Sequence, residues 1–181
     1  MGLIIFLGIV AVIVIWLVSA QQRLVRADEM CKNAMSQIGV QQNSRWDALT
    51  QIAGLAKKYS EFEYQALKEI IAQRRPITGG SSTDEAQAQE NKITEALTHI
   101  MAVAEQYPAL KSSELYQQTM KDVNRYEDNV RKARMVFNDT VTKLNRLVRQ
   151  FPDSLAASIF GFKEREYLQT PSEKTEMPNL V

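Results

Sequence analysis

The first 22 residues differ from the rest of the chain in their pattern of hydrophobic and polar positions. The stretch MGLIIFLGIVAVIVIWLVSA carries no charged side chain, and the first charge along the chain is Arg23. About twenty apolar residues at a helical rise of 1.5 Å per residue cover the roughly 30 Å hydrocarbon core of a bilayer. The pattern therefore predicts a transmembrane anchor over residues 1–22, with Trp16 and Arg23 near its membrane boundary.

A buried core helix and a cleaved signal peptide are the two alternatives to this anchor. Val18, Ser19 and Ala20 resemble a small-residue cleavage site, but no Lys or Arg precedes the apolar run as it does in a signal peptide. We therefore favour a retained single-pass span. Arg23, Arg26 and Lys32 follow it closely, so the positive-inside rule predicts an outside N-terminus and a cytoplasmic helical domain.

After the anchor, apolar residues recur at intervals of three and four, which is the helical period. Between Leu24 and Arg75 no Pro intervenes, and Gly39 and Gly54 each cost a helix only about 1 kcal/mol. The pattern predicts one continuous helix here. The stretch RRPITGGSST, residues 74–83, combines Pro, paired Gly and hydroxyl residues and therefore predicts a loop.

Two further long helices are predicted beyond this loop. Ser82 and Glu85 have the spacing of a capping box at the start of the first, and Pro108 ends it. Ser112 or Ser113 caps the next helix. Its apolar face steps by three or four through Val123, Tyr126, Val130, Ala133, Phe137, Val141, Leu144, Val148 and Phe151. This near-heptad spacing is typical of coiled-coil-like packing between antiparallel helices.

The stretch FPDSLAASIFGFKEREYL, residues 151–168, predicts a short closing helix. A proline is tolerated in the first turn of a helix, and Gly161 can supply a left-handed cap at its end. We expect this helix to plug the open end of the bundle with Phe151, Pro152, Leu155, Ile159, Phe160 and Phe162. The predicted fold is all-α, with a transmembrane helix, a bundle over residues 23–168 and a flexible tail over residues 169–181.

The composition argues against several classes of function. The 22 basic and 21 acidic residues nearly cancel, which gives no electrostatic reason to expect a nucleic-acid partner. The single His99 has no His or Cys near it in sequence, and the single Cys31 is expected to be a packing residue, with palmitoylation as the minor alternative. No catalytic or phosphate-binding motif is present. We expect a non-enzymatic protein without metal or cofactor.

Two groups of polar residues are the candidate site. Arg45 and Asp47 lie in the first helix of the bundle, and Arg134, Asn138 and Asn145 lie in the third. The two asparagines are seven residues apart on one flank, a spacing suited to hydrogen bonds across a helix–helix seam. Such residues either fix the packing of the helices or form a strip that binds a partner, and both interpretations stay open.

Four stretches of the chain resemble the LemA family. The closing FPDSLAASIFGFKEREYL resembles the family's Phe-Pro, Ala and Phe-Gly-Phe-Lys stretch, and AEQYPALKS resembles its Glu-x-Tyr-Pro-x-Leu-Lys turn. The pattern of Asn residues in ARMVFNDTVTKLN is also similar, and VQQNSRWDALTQIAGLAKKY is a looser match. The chain departs from the family at Gln42, where Leu is common, and at Thr50, where Pro is common.

The resemblance implies an anchored, four-helix-like antiparallel bundle of the bacterial cell envelope without established enzymatic activity. One branch of the family takes part in forming magnetosome membranes. We therefore expect a scaffold of the bacterial inner membrane that self-associates and organises membrane or envelope proteins. The alternative is a monomeric adaptor that docks an envelope enzyme such as a membrane protease. The expected partners are the lipid bilayer, further copies of the chain and a candidate envelope membrane protein.

Overall fold

The computed structural model describes residues 1–169, which are helical and contain no strand. The helices are α1 (Gly2–Ala56), α2 (Glu61–Ile71), α3 (Thr83–Gln106), α4 (Pro108–Lys111), α5 (Glu114–Arg149) and α6 (Asp153–Phe160). The predicted all-α class is therefore confirmed, with one long apolar helix at the N-terminus and a helical bundle.

The chain divides into two compact units, and both α1 and α5 contribute to each of them. We call residues 30–136 the central unit, and residues 1–29 together with residues 137–169 the terminal unit. The predicted division into an anchor over residues 1–22 and a bundle over residues 23–168 stays a prediction. The predicted tail lies outside the described residues, apart from Gln169.

The prediction of one helix from Leu24 to Arg75 is wrong, because α1 ends at Ala56 and α2 begins at Glu61. A turn follows Ala56, and Ser60 adopts an extended backbone. Its hydroxyl accepts a hydrogen bond from the backbone N–H of Glu63 at 3.2 Å, which caps the new helix. A serine thus starts a second helix where neither proline nor glycine marks a break.

The predicted start and end of α3 are confirmed. The Ser82 hydroxyl accepts from the Glu85 N–H, and the Glu85 carboxylate accepts from the Ser82 N–H, so both halves of the capping box form. The helix ends at Gln106, and Pro108 opens the short α4 in place of a simple turn. Ser113 then accepts a hydrogen bond from the N–H of Tyr116 and caps α5.

The core of the central unit is formed by all the helices that pass through it. Trp46, Leu49 and Ile52 of α1 pack with Ile93 and Ile100 of α3 in one buried cluster. Each large apolar side chain that is fully buried stabilises the folded state by about 1.5–3 kcal/mol relative to leaving it exposed to water. The cluster is completed by smaller and peripheral side chains of α1 to α5: Ala48, Ala53, Ala56, Leu67, Ala96, Val103, Ala104, Leu110, Tyr116 and Val123.

The loop between α2 and α3 lies directly against α1. A β-carbon added at Gly39 would collide with the backbone carbonyl oxygen of Ile77, so only glycine allows the loop to approach this closely. A β-carbon at Gly79 would lie 2.7 Å from the carbonyl oxygen of Lys32. Two glycines, one on each element, thus set the close contact between loop and helix.

The terminal unit has a smaller apolar cluster in which α6 packs against α1. Ala20 and Leu24 are fully buried against Ala156 and Ala157. Around them lie the partly buried Trp16, Leu17, Leu147, Val148 and Phe162. Gly161 ends α6 in the left-handed conformation, with φ of 73°, as the sequence predicts.

The predicted role of the larger α6 side chains as a core plug is wrong. Phe151, Leu155, Ile159 and Phe160 are exposed, and Pro152 is exposed at the N-cap of α6. Only Phe162 packs against the cluster, and it is partly buried. The small side chains of Ala156 and Ala157 make the contact because they let the two helices approach closely.

Candidate functional site

The candidate residue Arg45 belongs to a buried polar network between α1 and α3. Its side chain is 2% exposed and forms an ion pair with Glu90. Gln42 lies one turn earlier and donates to a Glu90 carboxylate oxygen at 3.2 Å and to the carbonyl oxygen of Ala86 at 3.0 Å. A buried charge is tolerated when it is paired in this way. The network therefore fixes how α1 and α3 face one another.

Gln89 extends this network to the loop that follows α2. Its side-chain oxygen accepts from the indole N–H of Trp46 at 3.3 Å and from the backbone N–H of Arg75 at 2.9 Å. Its amide nitrogen donates to the carbonyl oxygen of Gln73 at 3.3 Å. One buried amide thus joins α1, α3 and the loop.

Asp47 lies outside the buried network, although it is only two residues from Arg45. Its carboxylate accepts from Arg74 at 2.6 Å, and the guanidinium of Arg74 also donates to Asn43 at 3.3 Å. The Asp47 side chain is 64% exposed, so this pair is screened by water and contributes little to stability.

Arg134 reaches α3 from α5. Its guanidinium donates to the side-chain oxygen of Gln87 at 2.7 Å. Burial lowers the pKa of Arg134, and the nearby Glu90 charge opposes that shift. The Glu90 charge therefore acts on both Arg45 and Arg134.

Asn138 and Asn145 bind the chain's own C-terminal segment instead of crossing a seam between helices. The amide of Asn145 donates to the carbonyl oxygen of Arg165 and accepts from its N–H, both at 2.9 Å. Asn138 makes the same pair of bonds to Leu168, both at 3.0 Å. We call these four hydrogen bonds the asparagine clamp.

The spacing of the clamp follows from elementary geometry. Seven residues of α-helix between Asn138 and Asn145 rise by about 10.5 Å. Three residues of extended chain between Arg165 and Leu168 cover about 10 Å. These two distances are nearly equal, so two asparagines on a helix can each bind the backbone of an extended segment that runs antiparallel to it. The two asparagines were predicted to bond across a seam between helices, but they bind the backbone of Arg165 and Leu168 instead.

A salt bridge fastens the same segment to α1. The Arg165 guanidinium donates to one carboxylate oxygen of Asp28 through two nitrogens, at 2.8 and 3.1 Å. Of the predicted membrane-flanking residues, Arg23 pairs with Asp153 at the start of α6, Arg26 is exposed, and Trp16 is partly buried in the terminal cluster. The base of the apolar helix is therefore joined to α6 and to the C-terminal segment.

The only His and the only Cys of the chain, which could in principle bind a metal, lie in different parts of the fold. His99 lies 2.9 Å from a carboxylate oxygen of Glu63, and Cys31 is buried. Within residues 1–169, no group of three or more His, Cys, Asp or Glu side chains is placed to hold a metal ion.

Sequence reasoning missed the partners Gln89, Glu90 and Arg165. Glu90 and Arg165 contact the candidates Arg45 and Asn145 from 45 and 20 residues away. Gln89 contacts Trp46, the neighbour of Arg45, from 43 residues away. The polar interruption VQQNSRWD in the apolar stripe of α1 was the available signal, because it contains Gln42, Arg45 and Trp46. That signal identifies the residues that α1 contributes to the network, but it does not identify their partners on α3.

Within residues 1–169, these features define an all-helical protein with one apolar helix long enough to cross a membrane and with buried polar contacts beside its apolar core. The chain belongs to the LemA family, whose model matches residues 34–181. It is also 35% identical over 74 residues to magnetosome proteins MamQ 1 and MamQ 2 of Paramagnetospirillum magneticum, a match that covers 41% of this chain and 27% of each relative.

The magnetosome protein MamQ of Magnetospirillum gryphiswaldense is likewise 35% identical, over 72 residues. That match covers 40% of this chain, and the chain spans only about a quarter (26%) of that relative's length. Family membership and the apolar helix together indicate a membrane-associated protein.

Proposed function

We propose that this protein is a non-enzymatic scaffold of the bacterial inner membrane that self-associates and organises membrane or envelope proteins. The observation that carries the proposal is the way the apolar helix is built into the folded chain. Ala20 and Leu24 at its base are buried by α6. Asp28, one turn further along α1, holds the C-terminal segment through Arg165. A terminal unit in which α6 and the C-terminal segment are fixed to the apolar helix in this way suits positioning at a membrane.

The chemistry of the candidate residues supports a structural role. One guanidinium nitrogen of Arg45 and the side-chain amides of Asn138 and Asn145 make contacts within the chain, and Arg134 also bonds to Gln87. These contacts join α1 to α3, α3 to α5, and α5 to the C-terminal segment, as expected of groups that hold the fold together. We therefore favour a protein whose surface, and not a reaction centre, carries its function.

The orientation that we propose has the N-terminus outside and the helical domain in the cytoplasm. Arg23, Arg26 and Lys32 on the α1 side that follows the apolar run support it. A cysteine introduced at the exposed Asp139 of a Cys31→Ala variant tests it in intact spheroplasts. We expect labelling by a membrane-impermeant maleimide only after lysis, and labelling before lysis would reverse the orientation.

Self-association is proposed to involve the apolar part of α1. Every residue from Leu3 to Ile15 is exposed, so each face of the helix is open to lipid or to another copy. The span combines Ile and Val with the small residues Gly8 and Ala11. Helices in a membrane associate through close van der Waals contact, which small residues allow. The matches to magnetosome proteins are consistent with a role in organising membranes.

Photo-crosslinking in living cells tests this proposal. A photoreactive amino acid is placed at the exposed Ile9 or Val12, and at the buried Leu24 as the matched control. We expect adducts at multiples of the 20.6 kDa chain from positions 9 or 12 and none from position 24. A single adduct with a different protein would identify an adaptor instead, and no adduct at either exposed position would contradict self-association.

A further inference from the structure

Helix α6 carries its small side chains inward and its large apolar side chains outward. Ala156 and Ala157 are buried, whereas Leu155 is 53% exposed and Ile159 is 66% exposed. Phe160 at the end of α6 and Phe151 just before it are also exposed. Leu155 and Ile159 are four residues apart and share one side of α6, and we call them the outer apolar face. With Phe151 and Phe160, four large apolar side chains within ten residues are exposed, which is more than the scattered single exposures of an ordinary water-facing surface.

The position of α6 explains what can cover this face. Its inner side packs on Trp16, Leu17, Ala20 and Leu24 of α1. At these residues the sequence changes from the uninterrupted apolar run to the polar stretch QQRLVR, residues 21–26. In a helix that crosses a membrane, this change marks the boundary between hydrocarbon and headgroups. The outer apolar face therefore lies beside the boundary of the span.

Cations lie on both sides of this helix along the chain. Arg146 and Arg149 occupy the last turn of α5, and the exposed Lys163 follows α6. Arg149 lies 3.8 Å from the carboxylate of Glu164, so Arg146 and Lys163 are the cations of this group that have room for a headgroup. Arg23 of α1 pairs with Asp153 in the first turn of α6 and holds that end in place. Helices that lie in a membrane surface combine an apolar face with neighbouring Lys and Arg side chains, which interact with lipid headgroups.

We propose that α6 is an interfacial helix whose outer apolar face inserts into the surface of the bilayer that α1 spans. A free helix of eight residues binds membranes weakly, but this helix is already fixed to the base of the span through Ala156 and Ala157. Insertion therefore costs little further conformational entropy, because the helix is already ordered. The protein would contact the membrane through two elements, a span and a surface helix.

Site-directed spin labelling of the full chain in vesicles of phosphatidylethanolamine and phosphatidylglycerol tests this proposal. In a Cys31→Ala variant, labels are placed at position 155 or 159 of the outer apolar face. The control label is at Asp139, an exposed residue of α5 in the same unit, ten residues before Arg149 and about 15 Å from it along the helix. The measurement compares the collision rates of each label with oxygen, which concentrates in lipid, and with a water-soluble nickel complex.

Lipid insertion predicts a ratio of oxygen to nickel collisions at positions 155 and 159 several-fold higher than at position 139. Equal ratios at all three positions would place α6 in water and overturn the proposal. Low collision rates with both reagents at 155 and 159 would mean that protein covers the face, which would also overturn it. The proposal goes beyond the scaffold role, since these labels report the surroundings of α6 whether or not the protein self-associates.

Discussion

The side-chain amide of Asn145 forms two hydrogen bonds with the backbone of Arg165, both at 2.9 Å. An amide can donate and accept at once, so it replaces the pair of bonds that a neighbouring strand would provide. Asn138 repeats this arrangement one step along the segment, at Leu168. The family-like pattern of asparagines on α5 therefore has a physical purpose, which is to hold the C-terminal segment along that helix.

Removing one half of the clamp is expected to destabilise the protein measurably. Asn145→Ala leaves the N–H and carbonyl of Arg165 without their partner, which costs about 2 kcal/mol in the free energy of unfolding. Asn124→Ala is the matched control, because Asn124 is exposed on the same helix and the change in helix propensity is the same.

Denaturant unfolding in mild detergent measures both variants, and hydrogen exchange follows the amides of Arg165 and Leu168. We expect faster exchange at the Arg165 amide in Asn145→Ala and no change there in Asn124→Ala, with the Leu168 amide, which Asn138 holds, less affected. Equal stability of the two variants would show that the clamp contributes nothing to folding.

Two glycines of α1 are expected to respond in opposite directions to the same substitution. Gly39→Ala directs a methyl group into the backbone of Ile77 and should cost about 1–3 kcal/mol, as overpacking does. Gly54→Ala meets open space on the exposed side of the helix and should stabilise it by up to about 1 kcal/mol. Thermal unfolding of the two variants checks the pair, and a stabilising Gly39→Ala would refute the close contact of loop and helix.

The buried Arg45–Glu90 pair is expected to be strongly coupled. Removing Arg45 alone leaves Glu90 without its ion-pair partner and should cost about 3–5 kcal/mol. The double variant Arg45→Met, Glu90→Leu should lose much less than the sum of the two single changes.

A double-mutant cycle at Lys92 and Glu95 provides the comparison for this pair. These residues form an exposed ion pair on α3 at 2.7 Å, for which a coupling of about 0–1 kcal/mol is expected. Similar coupling energies in the two cycles would contradict the view that Arg45 and Glu90 hold α1 and α3 together.

Stability at alkaline pH is expected to depend on Tyr116. Burial raises the pKa of its phenol, and the negative charge of Glu105 raises it further. The folded state therefore favours the neutral phenol. This contribution is fully present below the unfolded pKa of about 10 and is lost as pH rises through the higher folded value. As pH rises above about 10, the free energy of unfolding should fall more steeply in the wild type than in Tyr116→Phe. Parallel curves would contradict the prediction.

The sequence predicted the features that depend on local chemistry. The Ser82–Glu85 capping box and the Gly161 cap involve neighbours in the chain, so a short motif is enough to find them. The break after Ala56 escaped prediction because Ser60 also fits inside a long amphipathic pattern. Polarity alone identified Arg45 and Asn145, but their partners Glu90 and Arg165 depend on how distant segments meet.

The closing helix α6 was predicted at the right place in the chain, but its large apolar side chains were predicted to be buried and are not. The apolar residues of α6 predicted a buried face, because in water large apolar side chains belong in a core. Leu155 and Ile159 are exposed instead, and the alanines between them make the contact with α1. A helix beside a membrane span can face lipid, which reverses the usual assignment of inside and outside.

The mass of the assembly in native lipid particles, extracted without detergent, tests the central proposal most directly. All chains that co-purify are identified in the same sample. The scaffold account predicts a regular multiple of the 20.6 kDa chain. A single copy, either alone or bound to one different protein, would contradict self-association, and in the second case the activity of that protein would define the process in which this chain takes part.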